Sequence, residues 1–175
     1  MGGFLRPIGF CLAAVFLTGC FSFPRSFHAL RYRNQKIFID EHHYYQVGPL
    51  PKEWQKKASQ NPGILFRHQK TKATLATEAL CGAAFEDLPL EILTGHLLTG
   101  LEEVKKIKEE SWTLSGRKTL YTQASAGLDG VPVLLNIAVV KKNSCEFDFL
   151  SVATASGAEQ ITNDFLNFVK GFSYQ

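Results

Sequence analysis

Two periodicities alternate along this chain. Between Pro89 and Leu101 the leucines Leu90, Leu93, Leu97 and Leu101 recur at spacings of three and four, which is one stripe of a helix. Pro89 suits its first turn, Asp87 stands upstream as a cap, and Gly100 lies near its end. A second stripe, Ile161, Phe165, Phe168, Val169 and Phe172, predicts a C-terminal helix. Ser156 and Glu159 precede it at capping-box spacing, and Gly171 falls at its close.

Elsewhere the period is two. Ile37 and Ile39, then Tyr45 and Val47, predict an extended start to the domain, followed by Gly48-Pro49 and Pro51. The short segment Glu53–Ala58 around Trp54 reads as one or two helical turns. After the turn Asn61-Pro62-Gly63, Ile64-Leu65-Phe66 predicts a strand. Ala73–Cys81 is its hairpin partner, with Leu75, Thr77, Ala79 and Cys81 on one face. The charged segment Val104–Glu110 suits either a prolongation of the helix or an exposed edge strand, and the turn Ser115-Gly116 favours an edge strand ending near Leu114. Thr119–Leu128 then alternates, with Leu120, Ala124, Ala126 and Leu128 sharing a face. Asp129-Gly130 is a two-residue hairpin turn. Val131–Lys142 is almost continuously apolar, as a strand covered on both faces must be. Cys145–Ala153, with Phe147 and Phe149 alternating against Asp148 and Leu150, closes the meander.

The order is strand pair, helix, a meander of about four strands, helix. It predicts an α+β fold in which an antiparallel sheet of five to six strands is sandwiched by two helices. Across roughly residues 60–175 this topology resembles the PsbP-like α/β sandwich. PsbP itself is a lumenal photosystem subunit, and relatives of its fold serve as assembly and binding proteins. The resemblance therefore implies a non-catalytic accessory protein.

The start of the chain obeys different rules. Residues 1–19 hold one charge, Arg6, ahead of an apolar run from Ile8 to Leu17, which is too short to span a bilayer and suits a secretory signal. They end in Leu17-Thr18-Gly19-Cys20, which resembles the lipobox of bacterial lipoproteins. The resemblance implies cleavage after Gly19, diacylglycerol on the Cys20 sulfur and an acylated new N-terminus. Phe21 in place of an aspartate then favours the outer membrane, periplasmic side. Two or three acyl chains hold a protein on a bilayer at about 0.8 kcal/mol per buried methylene. Residues 20–36 are basic and aromatic (Arg25, Arg31, Arg33, Lys36 among Phe21, Phe23, Phe27, Tyr32). They read as a flexible tether, or as a stretch lying on an anionic membrane surface; the two are compatible. Residues 37–175 form the single domain.

Composition narrows the rest. Removing 19 of 175 residues leaves 156, enough for one domain with a core. Without Arg6, 18 Lys+Arg stand against 16 Asp+Glu, a net +2 that argues against a nucleic-acid partner. Of the four cysteines Cys11 is removed and Cys20 lipidated. Cys81 and Cys145 remain, most simply as one disulfide in an exported chain. It closes 145 − 81 = 64 residue steps, worth about 4 kcal/mol in the chain-entropy model. A redox-active thiol is the alternative, but there is no CxxC and no histidine beside either cysteine.

Candidate chemistry is sparse. His42-His43, beside Asp40 and Glu41, is the most metal-like feature, yet neighbours in an extended segment point to opposite faces. No metal site or cofactor is expected. His68 and His96 stand isolated. No GxSxG and no phosphate-binding glycine loop occurs. Glu146 and Asp148, two apart on a strand, share a face as paired carboxylates do, with salt bridges to Arg117, Lys141 or Lys142 as the ordinary reading. The expectation is a non-enzymatic envelope lipoprotein that binds a protein partner through the edge strand Val104–Trp112 and the 129–134 hairpin tip, where Pro132 blunts pairing. The alternative is a carrier of a small apolar ligand in a pocket lined by Leu93, Leu97, Phe165 and Phe168.

Overall fold

The structure is a computed structural model that describes residues 30–59, 63–82 and 88–174. Leu17-Thr18-Gly19-Cys20 lies outside the described residues, as do Asp87 and Asn61-Pro62. Among the described residues eleven strands and two helices follow one another: β1 (Arg31–Arg33), β2 (Lys36–Phe38), β3 (Tyr44–Gln46), β4 (Trp54–Lys57), β5 (Ile64–His68), β6 (Thr74–Cys81), α1 (Leu90–Leu97), β7 (Glu102–Leu114), β8 (Arg117–Leu128), β9 (Val131–Lys142), β10 (Cys145–Ala153), α2 (Ala158–Lys170) and β11 (Ser173–Tyr174).

The main sheet is larger than the predicted five to six strands. It has seven, in the order β4-β5-β6-β10-β9-β8-β7, with every neighbour antiparallel. The added strand is β4. The segment around Trp54, read as helical, is extended instead because Trp54 pairs with His68 and buries its indole in the core. A second, four-stranded sheet, β1-β2-β3-β11, is built from the N-terminal segment and the last residues of the chain. It takes in residues assigned to the tether. Leu30 is buried and Arg31–Arg33 pair with Lys36–Phe38, so the folded domain begins by Leu30 rather than at residue 37.

Tight turns hold the meander. Ser115-Gly116, Asp129-Gly130 and Asn143-Ser144 each place two successive residues at positive φ (50° and 76°, 50° and 75°, 52° and 57°). That is the type I′ geometry whose twist matches antiparallel strands. The edge strand β7 is thirteen residues long and exposed along most of its length, as its charges predicted. Two register irregularities interrupt its pairing with β8 between Glu102 and Lys108, and the ladder is regular from there to Leu114.

The helices cover opposite faces of the sheet. Under α2 lie Tyr121, Ala138, Val140, Phe147 and Phe149, together with Tyr45 of the small sheet. Under α1 lie Leu120, Ala124, Leu135, Ile137 and Val139. β9 is buried on both sides, since alternate residues feed the two cores. This overturns the proposed apolar pocket. Leu93 and Leu97 pack in the α1 core, whereas Phe165 and Phe168 are fully buried in the α2 core on the other side of the sheet. The four residues cannot line one space, because a whole sheet separates them.

Both helices also end differently from expectation. α1 stops at Leu97, with Gly100 at φ 86° beyond it. α2 starts after Gly157 in the left-handed region, with no side-chain cap, so the Ser156–Glu159 capping box is not formed. Gly171 serves a packing role. The chain at Gly48 runs against the end of α2, where its N–H donates to the Phe168 carbonyl at 2.8 Å. A Cβ on Gly48 would collide with the Asn167 carbonyl, and one on Gly171 would collide with Gly48. Two glycines therefore dock the small sheet onto the helix.

Cys81 and Cys145 are direct cross-strand partners on β6 and β10, and they form a disulfide. It ties the two middle segments of the sheet beside Tyr174, whose hydroxyl lies 3.8 Å from the Cys145 sulfur.

Candidate functional site

α2 is narrower than the sheet it covers, so β7 and the outer part of β8 project past it. The result is a trough of about 550 Å³ between helix and edge strand. One wall is the helix stripe Thr162, Leu166 and Lys170, which spans about 12 Å at 1.5 Å per residue. The other wall is the inward row of β7, with Lys108, Glu110, Trp112 and Leu114 at alternate positions over about 20 Å. Tyr121 and Gln123 of β8 make the floor.

Packing and hydrogen bonds fix the lining. The Trp112 and Tyr121 rings stack with centroids 4.3 Å apart and planes 14° from parallel. The Tyr121 hydroxyl donates to Asn136 Oδ1 at 2.8 Å, and Gln123 Nε2 donates to the same oxygen at 3.0 Å. Asn136 Nδ2 donates in turn to Ser151 Oγ at 3.0 Å and to Thr162 Oγ1 at 3.2 Å. Asn136 is thus a buried, satisfied polar node that joins three strands and the helix. Burial, and next the charge of Glu110, push the Tyr121 phenol up to about 12. It stays a hydrogen-bond donor.

The rim is charged. Lys108 Nζ lies 2.9 Å from Glu110 Oε1, and Trp112 Nε1 donates to Glu110 Oε2 at 3.2 Å. The Lys108 hydrogen bond, seconded by Trp112, holds the Glu110 carboxyl below its ordinary value. Glu110 is therefore engaged as an anion. The trough can offer aromatic and aliphatic surface, two ammonium groups and an amide. Among the described lining residues there is no nucleophile with a base beside it.

The other candidates fall elsewhere. Asp40, His42 and His43 sit in the turn between β2 and β3, not in an extended segment. Asp40 Oδ1 accepts from the backbone N–H groups of His42 and His43, and its Oδ2 lies 2.7 Å from His43 Nδ1. The hydrogen bond with the His43 ring is the largest of the causes lowering Asp40 to about 2. This is a self-contained exposed turn. His68 is a core residue on the Trp54 ring, with Nδ1 accepting from the Thr71 N–H at 3.2 Å.

Glu146 and Asp148 do share a face, and it is the α1 face. Glu78 joins them, directly opposite Asp148 across the strand pair. Burial and then the charges of Glu146 and Glu78 raise Asp148 well above the usual carboxylate range. Burial likewise raises Glu146, against the hydrogen bond with Asp148 and then the pull of His96 and Lys141. Asp148 Oδ1 is buried without a hydrogen-bond partner. The salt bridges expected for this pair take other forms. Lys141, opposite Glu146, sends its ammonium to the Leu88 carbonyl at 2.7 Å. Lys142 reaches Ser115, and Arg117 is paired with Leu114 at the far side of the sheet. No group of three or more metal-ligating side chains is assembled among the described residues.

The edge strand was favoured over a longer helix by the Ser115-Gly116 turn, and Trp112 on it does line the trough. Thr162, Leu166 and Lys170 were missed, because nothing local says that their helix stripe faces a strand fifty residues earlier. One signal was available: Asn136 is the lone polar interruption of the apolar run Val133–Val140.

No family model and no curated protein matches the sequence. Solved structures do match in fold. LpqN of Mycobacterium tuberculosis, described as involved in cell envelope biogenesis, superposes with a TM-score of 0.57 at 14% identity, over 77% of this chain and 86% of its own. The cyanobacterial PsbP (CyanoP) of Synechocystis superposes with a TM-score of 0.56 at 11% identity, over 75% and 86%. A Bacteroides thetaiotaomicron protein gives 0.53 at 10% identity, over 75% of this chain but only 45% of its own. The chain has a PsbP-like α+β fold.

Proposed function

We propose that the protein is a lipid-anchored accessory protein of the bacterial envelope, and that its domain binds a protein partner rather than catalysing a reaction. Leu17-Thr18-Gly19-Cys20 supplies the anchor, on the outer membrane facing the periplasm, and residues ahead of Leu30 supply the tether. The fold shared with LpqN, itself described as involved in cell envelope biogenesis, supports the compartment. No described helix is long and apolar enough to cross a membrane.

The single observation that carries the binding reading is the trough beside β7. It is open along one side, bordered by strand edge and lined by aromatic, aliphatic and cationic groups together. Such a lining suits an extended protein segment, whose main chain can pair with the regular part of β7 while its side chains enter the trough. An apolar small molecule fits it poorly, because the Lys108–Glu110 pair and the Lys170 ammonium would lose water and gain no new partner.

A photo-crosslinking residue at Lys170 or Thr113 tests this in native membranes. One envelope protein should be captured, and the adduct should vanish with Leu166→Asp. The same probe at Lys118, outside the trough, should capture nothing. Equal capture from both places would overturn the reading.

A further inference from the structure

Charge is divided along the fold. From residue 30 to residue 72 there are nine cations (Arg31, Arg33, Lys36, Lys52, Lys56, Lys57, Arg67, Lys70, Lys72) against three acids (Asp40, Glu41, Glu53), a net +6. From residue 73 onward eight Lys+Arg oppose thirteen Asp+Glu, a net −5. The near-neutral total hides this dipolar arrangement.

The fold gathers the positive part at one edge. β4 and β5 form the margin of the main sheet opposite β7, and Lys52, Lys56, Lys57, Arg67, Lys70 and Lys72 are all exposed there. None of the six makes an ion pair with a described residue. Three of them converge. Lys57, Arg67 and Lys72, with Gln55, His68 and Gln69, line a hollow of about 390 Å³ that holds no carboxylate. Local bonds brace two of the cations, Lys57 Nζ donating to Gln55 Oε1 at 3.1 Å and Lys72 Nζ to the Gln69 carbonyl at 2.7 Å. The start of the described chain lies at the same margin of the sheet, on the face opposite Gln55, Lys57 and Arg67. Tyr32 of β1 packs edge-on against Phe66 of β5, ring centroids 5.0 Å apart.

We infer that the β4–β5 edge is a membrane-docking surface, and that its hollow receives the phosphate headgroup of an anionic lipid. The choice of a lipid surface over a soluble anion rests on the lipid-anchor reading above: a short tether leaving near β5 holds this edge, and not β7, against the bilayer. An anionic surface attracts clustered cations within about a Debye length, roughly 10 Å at 0.1 M salt. Docking by this edge turns the trough beside β7 away from the membrane, toward its partner.

The lipidated full chain is reconstituted in vesicles of phosphatidylcholine alone and in vesicles half phosphatidylglycerol, and lysine acetylation is read by mass spectrometry. Lys57 and Lys72 should react several-fold more slowly on the anionic vesicles at low salt. Lys118 should not change, and high salt should erase the difference. Lys57→Gln with Lys72→Gln should weaken the protection of Lys52, Lys56 and Lys70. Flotation with the vesicles reports the anchor separately. A chain that carries no acyl group is added to the same vesicles from solution, where co-flotation with the anionic ones alone supports the surface and its absence overturns it. Equal reactivity on both vesicles overturns the inference. So does equal protection by inorganic phosphate, or by an RNA oligonucleotide, on phosphatidylcholine alone.

Discussion

The two faces of the main sheet are built from different materials and depend on different residues. The α2 face is aromatic. Phe147, Phe149, Phe165 and Phe168 are completely buried, and Tyr45 sits among them with its hydroxyl 3.0 Å from the Thr77 hydroxyl. Burial raises the Tyr45 phenol above its ordinary value, so it stays protonated and bonded. The α1 face is aliphatic and smaller, and its core gives way to Glu78, Glu146 and Asp148 at the side. A shorter helix and small residues such as Ala124 and Ala126 leave less apolar surface to bury there. The stability of the domain should therefore be concentrated on the α2 face, and its pH sensitivity on the α1 face.

The sharpest break comes from the aromatic core. Phe149→Ala should cost about 3–5 kcal/mol, since it leaves a cavity among rings that cannot collapse into it. Chemical denaturation measures this. Replacing Cys81 and Cys145 by serine should cost about 4 kcal/mol by the loop-closure argument, and reduction of the native protein should match it. Leu93→Ala, under α1, should cost less, about 2–3 kcal/mol. An equal loss at both faces would contradict the asymmetry.

Two aspartates then separate the regions by pH. Asp148 has a folded value above the unfolded one of about 4, so the unfolded chain releases this proton first. Its contribution is most favourable below about pH 4 and declines as pH rises above that. Asp40 runs the other way. Its folded value is about 2, so its contribution is present above about pH 4 and is lost as pH falls toward 2. Urea midpoints across pH should show a shallower decline above pH 4, about the unfolded aspartate value, for Asp148→Asn. Asp40→Asn should soften only the acid limb. The smallest effect on stability belongs to the trough. Lys170→Glu should move it by no more than about 0.5 kcal/mol while abolishing partner capture from Thr113.

The helices, the meander and its hairpin turns were legible because each depends on residues a few positions apart. The leucine stripe of α1, the alternation of Phe147 and Phe149, and Asp129-Gly130 report local geometry directly. The segment around Trp54 misled for the same reason. Its extended form is imposed by pairing with β5 and by an indole N–H that donates to buried Asp164, 110 residues away, at 2.8 Å. The apolar pocket failed because periodicity says that a residue is buried without saying on which side of a sheet.

By itself the sequence determined the two helix stripes, the both-sides-buried strand β9 and the turns that end β7, β8 and β9. These follow from the period of the chain and from turn stereochemistry. Only the tertiary structure decided that α2 stops short of β7 to leave a trough, and that Glu78 faces Asp148. It alone gathered Lys57, Arg67 and Lys72 around one hollow. Those outcomes depend on which distant segments become neighbours, and strand order and helix placement settle that through the burial of shared apolar surface rather than through any local pattern.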